Sequence, residues 1–372
     1  MDFTPTEAQS DLAALTRGIA EKLVTPERQR ELDKSADRFD DTLWQALATA
    51  GVLAATLPES VGGGGFGILE HTAVLRELGR TLGAVPYLPS IALAADTLAE
   101  FGDPAQQEWA QRAGTGDVIL TVALAEDVNY EPSQPITRAE PTTGGWLLTG
   151  AKVTVPVATR AVRILVPAAT PDGVAVFLVD PNAPGVTVTP QLVVDLGSEA
   201  IVEFAQVALD DSSVVGTVEA GPRILDRLLT RSAVGSTALQ LGTLERALEM
   251  VSDYARERTQ FDRPIGSFQA VAQRLADAYI DVKGVRLALT QAAWRLHEDL
   301  PSEAEVRTAK FWAADAGHRV AHSVIHVHGG VGLDTDHPVH RYFLAAKHNE
   351  FAGGSATEQL RRLGAVLAAT PA

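Results

Sequence analysis

The residue types best suited to chemistry gather in one stretch, "YARERTQFDRPIGSFQAVAQRLADAYIDV". A helical run ends in Arg256 and Arg258, a turn carries Gln260 and Phe261, and Pro264 and Gly266 lead into a second helix that opens with Gln269. A guanidinium beside a helix start is an anion site, because it and the unsatisfied N–H groups both favour phosphate. Phe261 offers a flank for a planar ring. An ordinary helix hairpin with solvated arginines fits the same residues. Further on, "HVHGGVGLDTDHPVHRYFLAAK" closes a helix on Gly329-Gly330. Their bare backbone admits a ligand or another chain, and a plain helix cap with a loop is the alternative.

Other patterns are weaker. His318, His322 and His326 recur every four residues and share a helix face. Such spacing can hold a metal, but no carboxylate is interleaved on that face and there is no H-E-x-x-H. A polar stripe facing a partner or ligand is the better reading, and no metal is expected. Gly62, Gly64 and Gly67 satisfy G-x-G-x-x-G formally. A dinucleotide fingerprint needs a preceding strand, and helical sequence surrounds these glycines, so a tight loop is expected. No G-x-S-x-G or Walker A sequence occurs. "NEFAGGSATEQ", from Asn349 to Gln359, sets two glycines and a serine between a phenylalanine and a new helix-like run. It reads as a hinge, a phosphate cradle, or a catalytic position that has lost its side chain.

Composition narrows the classes. The absence of cysteine excludes disulfides, thiolate catalysis and cysteine-held metal. A net charge of −16 repels nucleic acid unless a basic patch offsets it, and the longest basic cluster, "RERTQFDR", is short and partly acidic. No apolar run approaches a membrane span. The polar start "MDFTPTEAQSDLAALTRGIAEKL" has no signal-peptide pattern, so a cytoplasmic protein is expected.

The elements follow from periodicity. Residues 1–115 form a helical domain: Leu12, Leu15, Ile19 and Leu23 lie at helical spacing after an N-cap at Thr6, "DDTLWQALATAG" stops at Gly51, and "PSIALAADTLAEFG" ends on a C′ glycine, Gly102. Residues 116–218 turn to short β-branched runs separated by Gly, Pro, Asn and Asp, predicting a small barrel-like β domain of six or seven strands. Residues 219–372 return to helix in four long runs, approximately 221–257, 266–298, 301–327 and 338–367, predicting an antiparallel four-helix bundle. The fold class is α+β, multidomain.

Taken together, "LPESVGGGGFG", "YARERTQFDRPIGSFQAVAQRLAD" and "VHGGVGLDTDHPVHRYFLAAK", in that order, resemble the acyl-CoA dehydrogenase family across the whole chain. The details look most similar to the actinobacterial branch that shortens steroid side chains, whose members form α2β2 heterotetramers. The resemblance implies FAD, an acyl-CoA substrate, a glutamate that removes the α-proton, and an electron-transferring flavoprotein as acceptor. It also places Gly353 on the usual glutamate position and Ser232 on the alternative one. Neither can act as the base. In the family one flavin is shared across a dimer. The ring-side motifs are eroded here to "LAEDVNYEP" and "KVTVPV". The partner-side residues implied by the resemblance are present: Arg258, Gln260, Phe261, Gln269, Gly329 and Gly330, with His326 where the family often has Gln. The resemblance therefore implies a non-catalytic subunit completing the FAD site of a homologous catalytic partner, with a cholesterol or steroid side-chain CoA thioester as substrate. Two alternatives stand: a self-sufficient homomer with a relocated base, Glu350 before Glu358, and a scaffolding protein of the same fold without flavin.

Overall fold

The computed structural model describes residues 3–369. They form two compact units. One holds the described parts of Met1–Arg28, Ile68–Gly83 and Ala233–Ala372; the other holds Gln29–Gly67 and Ala84–Ser232.

The helices of the first third are α1 (Glu7–Leu23), α2 (Pro26–Leu32), α3 (Asp41–Thr49), α4 (Ile68–Thr81), α5 (Asp96–Phe101) and α6 (Pro104–Gly114). Thr6 caps α1 as expected: its hydroxyl accepts from the Gln9 amide at 3.1 Å, and the Gln9 side chain accepts from the Thr6 amide at 2.8 Å. The buried stripe of α1 is Leu12, Thr16 and Ala20, whereas Leu15 is 44% exposed. Small residues win this face because α1 lies close against α4, where Arg17 donates twice to the buried Glu77 at 2.8 Å. The run around "PSIALAAD" is not a plain α-helix either. Tyr87–Ala95 is wound as a π-helix that passes into α5. Gly102 ends it in extended backbone (φ −70°), not as a left-handed cap. Glycine is required there because a Cβ would sit 2.5 Å from the Leu98 carbonyl.

The β region is one curled, seven-stranded sheet: β1 (Leu120–Val122), β2 (Arg138–Thr142), β3 (Gly145–Pro156), β4 (Arg163–Thr170), β5 (Gly173–Val179), β6 (Val186–Gln191) and β7 (Glu199–Asp210). The order is β1-β4-β2-β3-β7-β6, with β5 paired to β4 and β1 parallel to β4. Leu148, Val155, Ile164, Val166, Phe177, Val202 and Phe204 fill the buried face. A register shift between Lys152 and Val155 bulges β3.

The chain then runs through α7 (Gly221–Glu257), a hairpin of β8 (Thr259–Gln260) and β9 (Arg263–Pro264), α8 (Gln269–His297), α9 (Glu303–His328), α10 (Val339–Phe351) and α11 (Ala356–Ala369). The fourth predicted helix is thus two helices. Gly353 (φ 70°) and Gly354 (φ 107°) hold conformations that end α10, and Gln359 donates to the Gly353 carbonyl at 2.9 Å. Two glycines let α4 and α7 cross closely: a Cβ on Gly79 would lie 2.1 Å from the Leu239 carbonyl, and one on Gly242 would lie 1.9 Å from that of Arg76. Beside this crossing, Arg76 holds Glu245 at 2.7 Å and Arg80 holds Glu249 at 2.9 Å.

Candidate functional site

The C-terminal end of α7 is held against the C-terminal end of α9. The Tyr254 ring stacks on His328 at 4.5 Å, and its hydroxyl donates to the His328 carbonyl at 3.4 Å. Nδ1 of His328 donates to the Val324 carbonyl at 2.8 Å, leaving Nε2 buried without a hydrogen-bond partner among the described residues. Burial pushes this imidazole below its ordinary pKa. The stack brings two features together, the Arg258 hairpin and the Gly329-Gly330 turn.

In the hairpin, the Ile265 amide donates to the Arg258 carbonyl at 2.8 Å. Gly266 lies so close to α7 that a Cβ would meet the Ala255 carbonyl at 3.0 Å. The side chains face outward: Arg258, Gln260 and Gln269 are exposed, and Phe261 is 87% exposed. Phe268 precedes α8 without a side-chain cap, so the first amides of the helix are not covered by one. Gly329 holds φ 62° and ψ −135°, conformations natural only to glycine, and a Cβ on Gly329 or Gly330 would meet nothing within 4 Å. Exposed His326 lies one helical turn earlier. The set is an open cradle: a guanidinium, uncapped amides, bare glycine backbone and a protruding aromatic ring. Its chemistry fits a diphosphate attached to a flat group.

His318 and His322 continue the stripe but are otherwise engaged. Lys347 Nζ lies 3.0 Å from His318 Nδ1, and the His322 ring packs edge-on to Phe343 at 5.2 Å. Burial, followed by the His318 and Lys347 charges, lowers the His322 pKa. Among the described residues no group of three His, Cys, Asp or Glu could hold a metal ion.

The carboxylates near "NEFAGGSATEQ" are also committed. Glu350 accepts from Lys347 at 2.5 Å and lies 3.3 Å from His318. Glu358 accepts from the Ser355 amide at 2.6 Å, one half of a capping box that starts α11. Beneath the glycines, fully buried Lys310 donates to the Asn349 carbonyl at 3.0 Å, and burial brings its pKa down to about 8. At the alternative position, Ser232 has no side chain hydrogen-bonded to it among the described residues. Its neighbour Arg231, with Arg227, occupies Asp96 at 3.4 and 2.9 Å.

The eroded segment after β1 keeps an internal strut. Glu126 accepts from the Ile136 amide (2.6 Å), Asn129 (2.7 Å), the Thr137 amide (2.8 Å) and Lys152 (2.8 Å). Burial pushes this carboxyl up, but Lys152 and the two amides outweigh it and hold the pKa at about 2. Sequence reasoning missed this pair, as well as Tyr254, His328, Lys310 and Gln359. It also missed the Ser355–Glu358 cap, whose S-x-x-E spacing was the one readable signal among these contacts.

Two family models match the chain: "Acyl-CoA dehydrogenase, N-terminal domain" over residues 6–117 and "Acyl-CoA dehydrogenase, C-terminal domain" over 219–368. The chain belongs to the acyl-CoA dehydrogenase family. It is 55% identical to acyl-CoA dehydrogenase FadE27 of Mycobacterium tuberculosis, covering 100% of both chains. Among solved structures it is similar to a chain of the ChsE4–ChsE5 complex from Mycobacterium tuberculosis, with TM-score 0.96, 55% identity and full coverage of both chains. It is also similar to a variant of the Tcur3481–Tcur3483 steroid ACAD, with TM-score 0.92, 36% identity and 98% coverage of each chain. No helix among the described residues is long and apolar enough to cross a membrane.

Proposed function

We propose that this chain is the cofactor-clamping subunit of a heteromeric, FAD-dependent acyl-CoA dehydrogenase acting on a steroid side-chain CoA thioester. The observation that carries the reading is the glycine turn at Gly353-Gly354, where the family resemblance expects a glutamate and both nearby acids, Glu350 and Glu358, are held by neighbours. A chain without a free carboxylate there cannot take the α-proton. Likeness to the ChsE4–ChsE5 complex and to a steroid ACAD supports a heteromer and a steroid substrate.

Bound FAD would supply the acceptor for a hydride from the β-carbon of the acyl chain. Arg258 and the uncapped start of α8 would neutralise its diphosphate, Gln260 and Gln269 would offer amide groups, and Phe261 would cover a flat face. Gly329 and Gly330, with His326 beside them, leave room for close approach. A companion subunit supplies the glutamate and most of the acyl pocket. An electron-transferring flavoprotein as electron acceptor and residence in the cytoplasm complete the proposal. The self-sufficient alternative loses support because the Glu350 carboxylate is paired with Lys347.

The test is purification alone and with the companion. The chain alone is expected to be colourless and inactive, and the complex yellow and active. Arg258→Ala in the complex is expected to weaken FAD retention by about 10- to 100-fold, the loss of one hydrogen bond to a charged group. A yellow, dye-reducing homomer sinks the proposal.

A further inference from the structure

The β8–β9 hairpin turns through two residues, Phe261 and Asp262, and both lie in the left-handed region, at φ 53° and 60°. Two-residue hairpins with this geometry favour glycine, asparagine and aspartate. Phenylalanine is strained there, and such strain persists where function holds it. Phe261 is accounted for by the clamp. Asp262 is not. It is exposed, and among the described residues no hydrogen bond or ion pair is made by its carboxylate, although Arg258 and Arg263 stand within four residues of it. Arg263 instead lies over the Phe268 ring at 4.1 Å. Among the described residues, the hairpin therefore presents two guanidiniums without carboxylate partners, one ring and one carboxylate without a cation partner outward.

A carboxylate has no place in a site built only for phosphate, since it weakens the attraction. It is useful where one adenosine diphosphate must be told from another. FAD ends in an adenosine whose ribose hydroxyls are free. A CoA thioester ends in an adenosine diphosphate with a further phosphate on the ribose 3′ oxygen. The arginines attract both, and the second more strongly. We propose that Asp262 is a specificity residue of the clamp: it accepts a hydrogen bond from a ribose hydroxyl of the cofactor and repels a ribose that carries phosphate. This rests on the clamp reading above. Discrimination by an unfavourable charge is a common route to specificity.

The test uses the heteromer, stripped of flavin, with FAD rebinding followed by flavin fluorescence. ADP and adenosine 3′-phosphate 5′-diphosphate serve as competitors. Like charges a few ångströms apart near a surface cost enough for a preference on the order of tenfold for ADP in the wild type. Asp262→Asn and Asp262→Gly should bring that ratio close to one. The glycine variant also relieves the left-handed strain, so its melting temperature should not fall. A wild-type complex without preference for ADP, or variants that keep the wild-type ratio, overturns the assignment. Arg258→Ala separates the two levels. If it leaves FAD affinity unchanged, the clamp itself fails. If it weakens FAD while the Asp262 variants discriminate normally, only the role of Asp262 fails.

Discussion

Replacing Glu126 by glutamine should destabilise the β domain far more than a surface acid would. The side chains of Glu126 and Lys152 are 3% and 1% exposed and lie 2.8 Å apart. Glutamine keeps one oxygen for the Ile136 and Thr137 amides but leaves the Lys152 ammonium buried without its counter-charge. Breaking one side of a buried pair costs about 3–5 kcal/mol. At about 2–4 °C per kcal/mol for a unit of this size, the melting temperature should fall by about 6–20 °C. Circular dichroism melts of Glu126→Gln, Lys152→Met and the double variant measure this. The double variant should recover part of the loss, since it removes both charges. The pH dependence has a definite sign. The folded-state pKa of about 2 lies below the ordinary 4.5, so the contribution is present above about 4.5 and lost as pH falls toward 2. Glu126→Gln should flatten the acid limb over that window. A loss under about 1 kcal/mol, the scale of an exposed pair, would refute the reasoning.

Two further outcomes are expected. Lys310, brought down to about 8 from 10.5, binds fewer protons in the fold than in the unfolded chain between those values, so wild-type stability should gain from this group as pH rises through that window. Lys310→Met should lose that gain in denaturant titrations at pH 8 and 10. Alanine at Gly242 would ordinarily favour a helix by about 1 kcal/mol, but its Cβ would sit 1.9 Å from the Arg76 carbonyl. Urea unfolding should show a net loss of up to about 2 kcal/mol, the overpacking cost less the helix gain; a stabilised variant would show that α4 and α7 do not cross so closely.

Much of the fold was legible because its signals are local. The Thr6 cap, the β-branched runs and the arginine–phenylalanine hairpin announce themselves within a few residues. The errors came from contacts distant in sequence. Leu15 has the right type and spacing for a core, yet Ala20 and Thr16 are buried because α4 approaches so closely. β2, "RAEPT", has Thr142 as its one strand-favouring residue and is a strand because β3 pairs along its length. The split of the last helix turned on whether Gly353-Gly354 was a kink or a stop, and Gln359 settles it from six residues away. At the candidate site the cradle residues could be read from type, whereas the Tyr254–His328 stack that gathers them could not.

The glycine turn also works as an evolutionary ratchet. A glutamate at 353, the position to which the family resemblance assigns the base, would have to adopt φ 70°, which costs an ordinary residue about 1–2 kcal/mol. Any side chain at 354 would press on Gln359 Nε2 from 2.8 Å. Placing a carboxylate there would thus need backbone and packing to change along with the codon. On the proposed function, a lineage with this turn is bound to its companion gene.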